Sequence, residues 1–192
     1  MGHLALERLD QHDLPAVQAL FRACKECFVA TTGRPAPLDA AHSLYMDLPA
    51  GVMRADKHLL GVCDTQTREL MGLIDAICGH PEPGTLTVGL FLLSPCCAEG
   101  TLMQKACRLL EAWAEQRGLL RLRIAVHAVS VPRLDLWRQA GFVPDGEPVR
   151  RGRQLVVVVA KSLSATDEGP LPLRDSPKAP RKSTFGHSAF GA

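Results

Sequence analysis

No stretch of the chain approaches the roughly 18 consecutive apolar residues that a membrane-spanning helix needs. The longest such run, Leu155–Ala160, is strand-sized. Charge of one sign is also scarce: 22 Lys and Arg against 20 Asp and Glu leave a net charge of +2. So even a balance excludes a strongly cationic nucleic-acid or membrane binder. Arg117, Arg121 and Arg123 are too few, and too poorly interleaved with aromatics, to change that. Met1–Asp13 carries Glu7, Asp10 and Asp13 where a secretory signal would place its apolar run. Leu6 stands where a myristoylated Gly2 would need Ser or Thr. The expectation is a soluble, cytoplasmic protein with neither membrane nor nucleic acid among its partners.

Metal-ligand spacing is missing too. Cys24 and Cys27 form a Cys-x-x-Cys, but no second pair and no His cluster completes a zinc site. Seven cysteines, an odd number without a secretory signal, argue against a disulfide framework. Cys24 and Cys27 precede Phe28 in an apolar helical pattern and read as buried thiols. No metal is expected.

What is present is a core. The 192 residues are 46% hydrophobic, enough for one domain without covalent staples. Composition shifts near Ser162. Residues 163–192 hold Pro170, Pro172, Pro177 and Pro180 with Ser and Gly and no periodicity, and read as a disordered tail. Residues 3–162 alternate strand and helix patterns. His3–Leu9 reads as a strand, and Asp13 as the cap of a helix whose apolar face is Val17, Leu20, Phe21, Cys24 and Phe28. Pro37–Leu48 reads as a second helix. Lys57–Cys63 and Leu70–Ile77 form a hairpin over the turn Asp64–Arg68. Leu86–Leu93 is a nearly unbroken apolar strand, as expected when both faces are covered. Leu102, Ala106, Leu109, Leu110 and Trp113 mark a long helix that Arg117-Gly118 closes. Arg121–Val126, a helix over Pro132–Ala140, and strands at Phe142-Val143 and Gln154–Ala160 follow. The order is β-α-α-β-β-β-α-β-α-β-β, an α/β class with a mixed sheet of about seven strands and helices on both faces.

Three stretches in this order resemble one family. "LTVGLFLLSP" at Leu86–Pro95, "LLEAWAEQRGLLRLRIAV" at Leu109–Val126 and "SVPRLDLWRQAGF" at Ser130–Phe142 resemble the GNAT superfamily of acetyl-CoA-dependent N-acetyltransferases. The resemblance implies the GNAT fold over residues 3–162, acetyl-CoA as co-substrate and an amine-bearing small molecule or protein as acceptor, with a homodimer left open. It implies a pantetheine arm lying as a pseudo-strand against Phe91, Leu92 and Leu93, between splayed fourth and fifth strands. The family's R/Q-x-x-G-x-G/A loop falls on Ala98, Glu99, Gly100, Thr101, Leu102 and Met103. Ala98 replaces the Arg or Gln, Thr101 and Met103 replace two glycines, and Glu99 occupies another position that is commonly glycine. Glycines there let backbone amides approach a pyrophosphate without Cβ atoms intervening. A carboxylate beside phosphate costs on the order of 1 kcal/mol at ~4 Å when exposed. Ser130 takes the place of the family's Asn, and Trp137 that of its Tyr.

An indole N–H has no useful acidity, so Trp137 cannot stand in for a phenolic acid; it either packs along the pantetheine arm or is a core aromatic. A general base must accept the amine proton. Leu86–Leu93 offers no carboxylate, whereas Asp75 interrupts the apolar run Leu70–Ile77. A carboxylate inside a strand is paired, edge-facing or functional, and Asp75 is the candidate base or amine anchor. His127, and more remotely His80 and Glu82, are further candidates for the acceptor pocket. Cys96-Cys97 falls before the phosphate loop, where an acyl-cysteine role is disfavoured because the superfamily generally uses direct attack. Two functions follow: an N-acetyltransferase, or an impaired GNAT-fold module acting as an acyl-CoA sensor or protein-interaction domain.

Overall fold

The computed structural model describes residues 4–32, 35–94, 100–127, 131–151 and 154–163. After β1 (Leu4–Arg8), a 3-10 turn at Gln11–Asp13 feeds α1 (Leu14–Ala23). Asp13 stands at the N-cap position of α1, but its side chain makes no capping hydrogen bond to that helix. The Asp10 carboxylate accepts the His12 N–H at 2.8 Å, and Asp13 Oδ2 accepts the Asp10 N–H at 2.9 Å, so the two acids satisfy the chain start reciprocally. The helix expected from one apolar stripe is divided. Cys24 leaves helical dihedrals (φ −89°, ψ 26°), and α2 (Lys25–Thr32) begins beyond it. The stripe survives the break: Val17, Leu20, Phe21 and Cys24 are buried, and the Phe28 ring lies 5.3 Å from that of Phe21. α3 (Ala40–Met46) starts at Ala40 rather than Pro37, since the Ala40 N–H closes a turn on the Pro37 carbonyl.

β2 (Lys57–Asp64), β3 (Leu70–Cys78) and β4 (Thr85–Leu93) form an antiparallel meander. The first reversal is the one expected: Asp64 Oδ1 accepts the N–H groups of Gln66 and Thr67 at 2.8 and 2.9 Å, an Asx-type turn. α4 (Gly100–Glu115) then crosses back to β5 (Arg121–His127), which lies parallel to β4. Gly118, with φ +69°, takes the left-handed conformation that ends α4. α5 (Val131–Gln139), β6 (Val143–Pro144), β7 (Val149–Arg151) and β8 (Gln154–Ser162) complete the described chain. The sheet order is β1-β2-β3-β4-β5-β8-β6, with β7 also on β8, and β4–β5 is its one parallel pair among the described residues. β7 was not expected. Three residues are too few to carry an alternating pattern.

Helices cover both faces. On one, Val17, Leu20 and Phe21 of α1 and Ala40 and Ala41 of α3 pack on Leu59, Leu73 and Leu92. On the other, Ala106, Leu110 and Trp113 of α4 and Trp137 of α5 pack on Leu60, Ile74, Val88 and Ile124. Fully burying one such side chain contributes about 1.5–3 kcal/mol. Leu163 is buried and donates its N–H to the Leu120 carbonyl at 2.8 Å, so the packed body runs one residue beyond Ser162. The rest of the segment read as a tail, 164–192, lies outside the described residues.

Candidate active site

β4 and β5 pair only from Thr85↔Arg121 to Val88↔Ile124. The next residue explains why they part. Asp75 lies opposite Leu90 and Ala76 opposite Val88, so Gly89 is an extra residue in β4, a bulge. A bulge bends its strand and shifts the alternation of side chains. Leu86 and Val88 before it, and Phe91 and Leu93 after it, face the α4 side, while Leu90 and Leu92 turn to the α1 side. Gly89–Leu93 therefore continue along β3 with no β5 residue in register across from them. The gap opens toward the C-terminal ends of two parallel strands, where ligands enter open α/β sheets. α4 begins on the same side, at Gly100, and a helix start offers unpaired N–H groups and the positive end of the macrodipole.

The gap has apolar walls. Trp137 is buried and meets Phe91 edge-on at 5.1 Å and Phe142 at 5.0 Å. Met103, Phe91 and Leu93 are half-buried against the same cluster. Leu92 belongs to the opposite core. Close approach at the end of β4 depends on Gly72: a Cβ there would meet Leu93 Cδ2 at 2.6 Å and the Leu92 carbonyl oxygen at 2.9 Å. The Cys24 thiol donates to the Leu93 carbonyl at 3.4 Å, tying the break between α1 and α2 to this strand end.

Asp75 sits beside the bulge on the α1–α3 side, and a Cβ on Gly89 would be 3.6 Å from its Oδ2. It is 8% exposed, and its Oδ1 makes an ion pair with Lys57 Nζ at 3.4 Å without a hydrogen bond. Burial pushes the carboxyl pKa up, and Lys57 pulls it part of the way back. Lys57 is itself buried. Its ammonium donates to the carbonyls of Leu44 at 2.7 Å and Asp47 at 2.6 Å, at the C-terminal end of α3.

The structure thus gathers Phe91, Leu93, Met103 and Trp137 on one face of the gap, with Gly100, Thr101 and Leu102 in the first turn of α4 and Asp75 near the bulge on the other face. Ala98, Glu99, Ser130 and Cys96-Cys97 lie outside the described residues, and of His127 only the backbone is described. His80 and Glu82 are not part of the site. Their loop precedes β4, where Thr87 Oγ1 donates to the His80 carbonyl and Glu82 pairs with Arg121 at 3.3 Å, at the end of the strand pair opposite the gap. Two residues escaped the sequence reading. A lone Gly inside a strand pattern is a bulge signal, which Gly89 carried. Lys57 was also within reach: the hairpin register sets Leu59 opposite Asp75, and Lys57 is two residues along on the same face.

No protein-family model matches the chain, and no curated protein matches it significantly in sequence. Solved structures do match in shape. An acetyltransferase from Thermus thermophilus superposes with a TM-score of 0.63 at 23% identity, over 85% of this chain and 100% of that one. The ribosomal-protein-S18-alanine N-acetyltransferase from Escherichia coli gives 0.61 at 16% identity, over 86% and 97%. The spermidine N-acetyltransferase from Vibrio cholerae, in complex with CoA and spermine, gives 0.60 at 19% identity, over 83% and 95%. The mixed sheet, its parted β4 and β5 and the helices on both faces are the fold of the GNAT N-acetyltransferases.

Proposed function

We propose that the protein is an N-acetyltransferase that takes acetyl-CoA and a primary amine. The observation that carries this reading is the gap itself: a stretch of β4, Gly89–Leu93, that β5 leaves unpaired on one edge, on the side where a long helix begins. An extended ligand arm adds to a free strand edge through backbone hydrogen bonds, and the N–H groups at Gly100–Met103 suit a pyrophosphate. Acetyl-CoA supplies an activated thioester carbonyl, whose C–S bond breaks as the new C–N bond forms. Asp75 accepts the proton the amine loses, directly or through a water. A buried carboxylate with a raised pKa is a stronger base than an exposed one, which suits that task. Trp137 has no proton to give at neutral pH, so it shapes the gap through Phe91, and the departing thiolate is protonated from solvent.

The test is transfer. Purified protein, acetyl-CoA and a panel of amines are incubated at a series of pH values from about 6 to 9, because transfer needs both a deprotonated carboxylate and an uncharged amine. The panel comprises spermidine, spermine, an aminoglycoside and a peptide with an N-terminal alanine, chosen after the names and bound amines of structurally similar proteins. Mass spectrometry is expected to show protein-dependent gain of one acetyl group on at least one amine. No product above the protein-free control with any of them would overturn the reading.

A further inference from the structure

Lys57 has no part in the reading above, yet it is the most constrained charge near Asp75. Lysine is almost never fully buried unless paired, and Lys57 is 7% exposed at the first position of β2. Two of its N–H groups are taken by the carbonyls of Leu44 and Asp47. These belong to the last turn of α3 and the residue after it, where helix carbonyls lack partners and the macrodipole is negative. That setting fixes the direction of the ammonium. Its nitrogen lies 3.4 Å from Asp75 Oδ1, a buried oxygen with no hydrogen-bond partner, so the two are held as an ion pair.

We propose that Lys57 is a positioning residue for Asp75: anchored on the end of α3, it keeps the buried side chain in its ionised, proton-accepting form. The proposal rests on the base role assigned to Asp75. The other charges acting on Asp75 are Asp47, which opposes its ionisation, and Arg54, which favours it. Arg54 is exposed and committed to the Tyr45 carbonyl and ring, so Lys57 is the buried counter-charge. Without that charge, burial acts on Asp75 almost unopposed, and its proton is held more tightly. A base works only when deprotonated, so kcat/KM falls as pH drops through the Asp75 pKa. Loss of the Lys57 charge moves that acid limb to higher pH.

The experiment compares wild type with Lys57→Gln and Lys57→Arg. It reads the acid limb of kcat/KM and the ¹³C resonance of the Asp75 carboxyl, assigned by its loss in Asp75→Asn. Lys57→Gln is expected to raise both midpoints by about one pH unit or more, a tenfold tighter hold on the proton. Lys57→Arg, which keeps the charge, is expected to stay with wild type. A Lys57→Gln carboxyl that titrates with wild type, or a Lys57→Arg that shifts as far as Lys57→Gln, overturns the proposal. Should Lys57→Gln fail to fold, the wild-type Lys57 Nζ resonance decides. It is expected to move as Asp75 titrates and to stay fixed over that range in Asp75→Asn; a resonance indifferent to Asp75 refutes the link. Failure of the base role reads differently: Asp75→Asn would then retain wild-type kcat/KM, while the carboxyl titration still reports on Lys57.

Discussion

Asp75→Asn is expected to fold and to lower kcat/KM by about 10²–10⁴, the usual loss when an acid–base group is removed. Folding is expected because the amide is isosteric and Lys57 keeps both of its carbonyl partners. That point matters, since breaking a buried pair outright costs about 3–5 kcal/mol when the remaining charge is stranded. Stability should carry a second signature. Burial raises the Asp75 pKa above its unfolded value, so the folded state binds this proton more tightly than the unfolded state. The contribution is present below the unfolded pKa and is lost as pH rises through the folded one. In Asp75→Asn that loss is absent, and the melting temperature should fall less across the same rise in pH. Unchanged kcat/KM in a folded variant would reassign Asp75 to a structural pair with Lys57.

Trp137→Ala should be the most damaging single substitution at the gap. Truncating a buried Trp costs about 3–5 kcal/mol, from lost transfer energy and the cavity left behind. Here the ring lies between Phe91 and Phe142, so the cavity opens on the wall formed by β4. In a domain of this size each kcal/mol lowers Tm by about 2–4 °C, giving a drop of roughly 6–20 °C. Trp137→Phe keeps most of the contact and should lose far less. Thermal and denaturant unfolding measure both variants. A loss below about 1 kcal/mol in Trp137→Ala would place the indole outside the core.

Long, periodic elements were legible in the sequence. Leu102, Ala106, Leu110 and Trp113 announced α4, and the apolar run Leu86–Leu93 announced a strand covered on both faces; both stand within a residue or two of expectation. What escaped was set by contacts between distant segments. The stripe Val17–Phe28 is continuous in sequence, but the chain breaks at Cys24, whose thiol meets Leu93. Asp13 reads as a lone cap because its partnership with Asp10 depends on a 3-10 turn that has no apolar period. The site was half legible. Asp75 stood out as a charge inside an apolar run, and Phe91, Leu93, Met103 and Trp137 do converge. Gly89 signalled a bulge but not its register, which Asp75↔Leu90 and Ala76↔Val88 set, and the hold of Lys57 on α3 emerges only from the folded contacts with Leu44 and Asp47.

The claim on which the rest depends is that the parted strands and the start of α4 take acetyl-CoA. Titration calorimetry of the wild-type protein with acetyl-CoA tests it most directly. The backbone edge Gly89–Leu93 and the α4 N-terminus favour binding, while Ala98, Glu99, Thr101 and Met103 replace the cation and glycines that would strengthen it. The expected result is saturable one-to-one binding with a Kd on the order of 0.1–1 mM, about −4 to −5.5 kcal/mol. Heats that match buffer dilution up to about 10 mM acetyl-CoA, a free energy weaker than about −3 kcal/mol, would contradict it.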